Sequence, residues 1–184
     1  MAHDSSPATQ AESALSEGPE PASLRVEVHS SFATIASDWM DLETHALATP
    51  FQSFHWLSAW HDKIGRQRGL EPAIILLRDQ LGRPVFLLPL VVDRSGPIGR
   101  VAWDMGQPVC DYHAPLMSQS FLSTAGADSM AEIWDRVLAA LEGTADTVVL
   151  IKQPDRIGFT PNPMASLCTA PYFTPTAFQT DLRP

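Results

Sequence analysis

The chain has 184 residues, 45% of them hydrophobic and 18% charged, and its formal net charge is −9. This length suits one domain with a buried core, and no apolar run reaches the ~18 to 20 residues that a membrane-spanning helix needs. The Lys and Arg residues are few and unclustered, which argues against binding to a nucleic-acid backbone. We therefore expect a soluble globular protein with neither a membrane nor a nucleic-acid partner.

The first 22 residues are acidic, contain no Lys or Arg, and consist mostly of Ala, Ser, Pro and Glu. Such a composition buries too little apolar surface to offset the entropy of ordering, and it predicts a disordered acidic tail over residues 1–22. The tail lacks the basic region and apolar core of a secretory signal, so we expect a cytoplasmic protein. Cys110 and Cys168 are too few and too far apart for a disulfide framework or a zinc cluster.

The first strand and the first helix follow this tail. Alternating apolar and polar residues over 24–29 predict a strand with one apolar face. Ser30 or Ser31 can cap the helix that follows, which carries apolar residues at helical spacing and ends before Pro50.

A second helix is predicted over residues 53–64, with Ser53 as its cap. Its apolar face carries Trp56, Leu57, Trp60 and Ile64. We expect both tryptophans to lie in the core, where their burial contributes several kcal/mol. The alternative is that they form the aromatic wall of an acceptor groove.

A β-hairpin is predicted next, with strands over residues 73–78 and 85–92 and a turn in which Gly82 can adopt positive φ. Both strands are almost continuously apolar, which indicates burial on both faces and a central place in the sheet. Pro89 interrupts the second strand. It indicates either a bulge that splays two strands and admits a ligand, or an ordinary bulge or edge position.

The remaining elements are a weaker strand over residues 100–105, a loop over 106–115, a helix with apolar positions from Met130 to Leu141, and a buried strand over 147–152. This order predicts an α/β (α+β) fold with a mixed, mostly antiparallel sheet covered by helices. We assign one domain to residues 23–155. The many prolines of residues 156–184 predict a linker-like segment.

Several short motifs together resemble a known family. They are Trp39 with Leu42, Pro50-Phe51-Gln52-Ser53 with Trp56 and Trp60, Leu88-Pro89-Leu90, Asp111-Tyr112, residues 150–154, and Asn162-Pro163-Met164. In their order and spacing, residues 24–168 resemble the amino-terminal half of the bacterial acyltransferase-like proteins often labelled cellulose biosynthesis protein CelD, of the GNAT superfamily. Such proteins are similar to the Fem-type aminoacyltransferases in having two GNAT-like halves.

The resemblance implies a GNAT-like domain and the acyl-CoA-dependent transfer of an acyl group to an amine. Acetyl-CoA or another acyl-CoA is the cofactor that it implies for the parent family, usually bound in the second half, and none is expected for this chain alone. This chain would then shape the acceptor side, for a small-molecule or polysaccharide-precursor amine, and would need a second GNAT-like domain, missing or on another chain. The alternative is a non-catalytic binding module with a degenerate GNAT-like fold.

Residues 94–100, RSGPIGR, are the nearest match to the loop that cradles the CoA pyrophosphate in such transferases. That loop needs consecutive backbone N–H groups at a helix N-terminus. Pro97 removes one donor, and a strand rather than a helix is predicted next. We therefore interpret the segment as an ordinary turn and predict no cofactor-binding residues.

Cys110, Asp111 and His113 are the residue types of a nucleophile, an orienting acid and a base. Side chains so close along a proline-flanked loop seldom converge in the required geometry, so a structural loop is the favoured interpretation. His55 and His61 lie on different faces of the second helix, and we predict no metal site.

The candidate substrate-binding residues lie at two places that the resemblance and the loop positions single out. They are Phe51, Gln52 and Trp56 at the entrance of the second helix, and Asp111 and Tyr112 in the loop at the strand ends. No catalytic residue is predicted from the sequence.

Overall fold

The computed structural model describes residues 20–97, 99–123 and 125–167. The strands are β1 (Arg25–His29), β2 (Glu71–Arg78), β3 (Pro84–Asp93), β4 (Val101–Asp104), β5 (Leu116–Met117), β6 (Thr147–Val149), β7 (Arg156–Ile157) and β8 (Thr160–Pro161). The helices are α1 (Phe32–Glu43), α2 (Phe54–Trp60), α3 (Gln119–Leu122) and α4 (Ala127–Ala140). The predicted disordered tail up to residue 19 and the segment from Cys168 onward lie outside the described residues.

A mixed sheet runs through the domain in the order β1-β2-β3-β4-β6, with β5 also paired to β3. All of its pairs are antiparallel except β4 with β6, which is parallel. Helices pack on both faces of the sheet. The predicted α/β class, with a mostly antiparallel sheet covered by helices, is confirmed.

Helices α1 and α2 cover one face of the sheet. The side chain of Ser31 accepts a hydrogen bond from the backbone N–H of Ala33, and Ser53 caps α2 in the same way. The buried residues of this layer are Ile35, Trp39, Leu42, Leu57 and Trp60 on the helices, against Ile74, Leu76, Leu87 and Val91 on β2 and β3. Beyond Trp60 the helix widens into a π-helical turn, His61–Gly65, instead of continuing to residue 64 as an α-helix.

Helix α4 covers the opposite face. Its buried residues are Met130, Ile133 and Val137, followed by Leu141, and they pack with Ala73, Ile75, Leu77, Phe86 and Leu88 of the hairpin. Alternate residues of β2 therefore enter opposite layers, which explains why the strand is apolar without interruption. The predicted central position of the hairpin is confirmed, and Gly82 has φ +77° in its turn.

The central strand β3 changes its neighbour near Pro89. Phe86 and Leu87 pair with β5, whereas residues 90–93 pair with β4. The carbonyl oxygen of Pro89 accepts a hydrogen bond from the backbone N–H of Met105 at 3.0 Å, whereas proline has no N–H to donate on that same edge. On its other edge Pro89 pairs in register with Ile74 of β2, so it lies in an interior strand and the edge position is wrong. Proline fits a central strand here because β4 and β5 separate at this residue.

Strand β6 is shorter and more exposed than the predicted buried strand over residues 147–152. It is hydrogen-bonded only to β4 and forms an edge of the sheet, so Val149 is 37% exposed. The extended chain ends before Lys152, which has φ +54°. The folded part also continues beyond residue 155, the predicted end of the domain. The β7–β8 hairpin and the turn Pro163–Leu167 place Ile157 and Met164 in the core.

Candidate functional site

The five candidate residues come from two segments that touch each other. Residues 50–56 form a 3-10 turn and the start of α2, and residues 109–112 belong to the loop after β4. The amide Nε2 of Gln52 donates to the carbonyl oxygen of Tyr112 at 3.0 Å. The rings of Phe51 and Tyr112 lie 6.2 Å apart between centroids. The fold thus brings together residues that are about sixty positions apart in the sequence.

Gln52 is the structural link between these segments. It is 2% exposed, and its Oε1 accepts hydrogen bonds from the backbone N–H and the hydroxyl of Thr49. Its backbone carbonyl accepts the indole N–H of Trp39. Since each polar group of Gln52 already has a protein partner, this residue positions Tyr112 and leaves no free amide for a ligand.

Trp56 lies outside the core, contrary to the preferred prediction. Its side chain is 43% exposed, whereas Trp60, one turn later, is 4% exposed and packs on the sheet. The indole N–H of Trp56 donates to the sulfur of Cys110 at 3.2 Å, which leaves one side of the ring in solvent. The loop after β4 lies beside the start of α2 and supplies this partner.

Phe51, Trp56, Val109, Asp111 and Tyr112 form a surface that we call the aromatic face. Asp111 and Val109 are exposed, while Phe51 and Tyr112 are half-buried. No hydrogen bond or ion pair holds the Asp111 carboxylate among the described residues. The aromatic face therefore combines one unpaired negative charge with three aromatic side chains.

Buried contacts of Cys110 fix the loop beneath the aromatic face. Cys110 is fully buried, and its carbonyl oxygen accepts the ammonium of Lys152 at 2.8 Å. Gly106 has φ +101°, and a Cβ there would lie 2.4 Å from the Cys110 sulfur, so only glycine allows this approach. Burial raises the pKa of the Cys110 thiol. A neutral, packed thiol is a structural group and not an activated nucleophile.

A buried polar pair lies deeper, at the end of β4. The carboxyl of Asp104 and the Nδ1 of His113 are 4.0 Å apart, and both side chains are almost fully buried. Asp104 accepts the backbone N–H of Ile151 at 2.7 Å and the amide of Gln153 at 3.1 Å. His113 Nδ1 donates to the carbonyl oxygen of Ile151, and its Nε2 has no hydrogen-bond partner within the described ranges. The imidazole is therefore the Nδ1–H tautomer.

Burial shifts the pKa values of this pair in opposite directions. It raises the pKa of Asp104 to about 7 and lowers the pKa of His113 to about 4, because in each case the charged form loses water. Both groups are therefore neutral near pH 6. The sequence did not reveal this pair, since it gives no sign that the loop after β4 folds back over the end of that strand.

Cys110, Asp111 and His113 do not form a catalytic constellation. Cys110 is hydrogen-bonded to Trp56 and Lys152, His113 is hydrogen-bonded to Ile151, and Asp111 lies at the surface. The three residues therefore lie in three different environments, which agrees with the favoured interpretation of this segment as a structural loop. Within the described part of the chain, no group of three or more His, Cys, Asp or Glu side chains is placed to hold a metal ion.

The turn between β3 and β4 holds both of its arginines in ion pairs. Arg94 pairs with Glu71 at 2.9 Å, and Arg100 pairs with Asp146 at 2.6 Å. The described residues of this turn form bends and lead directly into strand β4. Neither a helix N-terminus nor a free guanidinium is offered to an anion by the described residues of the turn.

No protein-family model and no curated protein sequence matches the chain. None of the helices within residues 20–97, 99–123 and 125–167 is long and apolar enough to cross a membrane.

Proposed function

We propose that this domain is the acceptor-binding half of an acyl-CoA-dependent N-acyltransferase of the GNAT type, and that it binds the amine acceptor as its ammonium at the aromatic face. The observation that carries this proposal is the unpaired carboxylate of Asp111, which is next to Tyr112 in the chain and lies in the loop that contacts Phe51 and Trp56. An ammonium group is attracted by a carboxylate and by the faces of aromatic rings. A sugar or alkyl body can lie on the same rings.

The support beneath the aromatic face favours a binding site over a mobile loop. Gln52 fixes Tyr112, and Lys152 and Gly106 fix Cys110, which in turn accepts the indole N–H of Trp56. A rigid surface loses little side-chain entropy when a ligand binds, so the binding energy is preserved. Asp111 is the charged residue of the aromatic face, and no described residue pairs with its carboxylate.

The cations of the turn over residues 94–100 favour a CoA site outside this domain. Arg94 and Arg100 are both occupied by carboxylates, so the CoA pyrophosphate is left to a second GNAT-like domain. Attack of the neutral amine on the thioester carbonyl, with loss of the CoA thiolate, would then take place between the two halves. The base that takes the amine proton would also come from outside this domain.

A second candidate is a binding module without chemistry. The observation that favours it is the burial of Cys110, Asp104 and His113, whose pKa values are shifted by that burial. Each of these residues is at most 3% exposed, so none of them reaches a proton of an amine bound at the surface in this arrangement. The two candidates share the ligand and differ in whether a partner domain supplies acyl-CoA.

Tryptophan fluorescence titration with glucosamine tests the shared binding step. We expect saturable quenching, which is much weaker with N-acetylglucosamine because the amide carries no charge. Asp111→Asn should weaken glucosamine binding by about threefold to tenfold, the effect of losing one charge-assisted contact at a partly exposed site. Asp135→Asn on α4 is the matched control, since Asp135 is also exposed and lies on the other side of the sheet. Equal binding by wild type and Asp111→Asn would contradict the proposal.

A further inference from the structure

A second, separate feature is a small cleft next to the aromatic face. Its volume is about 190 Å³, and it lies between the end of α2 and strand β4. Its lining includes the aromatic residues Trp60 and Trp103, the aliphatic residues Leu70 and Val91, and the polar residues Arg68 and Gln107. A cavity of about 150 Å³ can hold a benzene molecule, so this cleft has room for one six-membered ring with a small substituent.

The apolar part of the lining favours a planar ligand. Trp60, Leu70 and Val91 are each at most 4% exposed, so the core itself forms this part of the lining. Trp103 on β4 is partly buried and packs against the same core cluster. Two tryptophans in one lining suit a flat ring, which can stack on an indole or meet it edge to face.

Two residues of the lining carry donors without an acceptor. The indole N–H of Trp60 and the amide Nε2 of Gln107 are buried without a hydrogen-bond partner in the described part of the chain. Both atoms are covered by protein, so the polar contact of a ligand in the cleft falls to the exposed Arg68.

Charge at the cleft points to an anionic ligand. The guanidinium of Arg68 is exposed and forms no hydrogen bond with the described residues, although its charge acts on Asp93. The carboxyl in the lining, that of Asp104, is already hydrogen-bonded to Ile151 and Gln153. Burial raises its pKa to about 7, so near pH 6 it is mostly protonated and does not repel an anion.

We propose that this cleft binds a small aromatic carboxylate, with the ring against Trp60 and Trp103 and the carboxylate toward Arg68. This binding site is distinct from the aromatic face and does not rest on the proposed acyl transfer. The two sites use different parts of the loop over residues 105–112, because Gln107 and Pro108 line the cleft, whereas Val109, Asp111 and Tyr112 belong to the aromatic face. They also differ in the charge that they select, because Asp111 attracts cations and Arg68 attracts anions.

Calorimetric titration of the full chain with benzoate near pH 6 tests the inference. We expect saturable binding of benzoate, and at least tenfold weaker binding of benzylamine, which has the same ring and the opposite charge. Arg68→Gln should weaken benzoate binding by about tenfold. Arg66→Gln is the matched control, because Arg66 is an exposed arginine two residues away whose contact is with Asp62 and not with the cleft.

The outcomes separate this inference from the proposed function. Asp111→Asn should leave benzoate binding unchanged, and Arg68→Gln should leave glucosamine binding unchanged. Absence of benzoate binding at millimolar concentration, or equal losses in the Arg68 and Arg66 variants, would overturn the inference while leaving the amine site untouched. A benzoate affinity equal to that of benzylamine would also overturn it, because the cleft would then select the ring alone.

Discussion

At the level of single residues, Asp104 and His113 form a pair that binds the same number of protons in the folded and in the unfolded chain near pH 5. In the folded chain near pH 5, the carboxyl keeps its proton and the imidazole is neutral, so the pair holds one proton. In the unfolded chain the ordinary pKa values of 3.8 and 6.5 apply, and the single proton sits on the imidazole instead. Equal proton counts mean that the pair gives the folding free energy no pH slope between pH ~4 and ~6.5.

Single substitutions in this pair should make the free energy of unfolding depend on pH, with slopes of opposite sign in the two variants. In Asp104→Asn the remaining histidine gains a proton only on unfolding, so the free energy of unfolding should rise with pH up to about 6.5, by about 1.4 kcal/mol per pH unit. In His113→Asn the remaining carboxyl loses a proton on unfolding, so stability should fall as pH rises from about 4 to about 7. Urea unfolding at several pH values measures both slopes relative to wild type. Parallel slopes in the two variants would refute the buried, balanced pair.

The candidate residues could be predicted in part, and the reasons differ from residue to residue. Phe51, Asp111 and Tyr112 sit in loops, where the resemblance and the general placement of binding residues both directed attention. Gln52 was singled out with them, yet it acts as a buried connector because its partners Thr49, Trp39 and Tyr112 surround it. Trp56 has the helical spacing of a core residue, and only the position of the loop over residues 105–112 shows why it is exposed.

At the scale of elements, the hairpin of β2 and β3 carries the two core layers at once. Leu76 and Leu87 are fully buried on the side of α1 and α2, whereas Ile75 and Leu88 face α4. Strand β3 also pairs with three other strands, since β4 and β5 share its second edge on either side of Pro89. The hairpin is therefore the element on which the rest of the fold depends.

Replacing Leu76 or Leu87 by Asp should abolish soluble expression, because each change buries a charge without a partner and removes core packing. Leu81→Asp is the matched control, since Leu81 is 77% exposed in the hairpin turn. Fractionation of cell lysates and thermal melting of the soluble protein measure the effect. If the Leu76 and Leu87 variants remain soluble with the melting curve of the control, the hairpin is not central to stability.

Elements with long apolar patterns were predictable, and the shortest ones were not. Helices α1 and α4 and the hairpin show their periodicity in the sequence alone. Strands β5, β7 and β8 have two residues each, too few for any pattern, and they exist because neighbouring chain segments offer hydrogen bonds. The exposure of β6 depends on its edge position, which is a property of the whole sheet.

At the scale of the whole molecule, charge sets what this domain can bind. The net charge of the whole chain is −9, and the arginines on the sheet and its turns are largely held by carboxylates, as in the contacts of Arg78 with Glu27 and Asp38. A polyanionic cofactor meets long-range repulsion and few free cations here. An ammonium ligand meets attraction.

Acetyl-CoA should therefore not bind to this chain by itself. Without several charge-assisted hydrogen bonds to the pyrophosphate, each worth ~1.5 to 3 kcal/mol, a micromolar affinity moves beyond the millimolar range. Isothermal titration calorimetry of the purified 184-residue chain is the measurement. A saturable isotherm with a micromolar dissociation constant would place a CoA site in this domain and contradict the division of labour proposed above.

Mapping of backbone amide chemical shifts during titration with glucosamine tests whether the aromatic face is the acceptor site. We expect the perturbed amides to cluster in residues 50–56 and 109–112, and the same cluster not to respond to N-acetylglucosamine. Perturbations confined to other parts of the chain, or an identical map for the charged and the neutral sugar, would contradict this assignment.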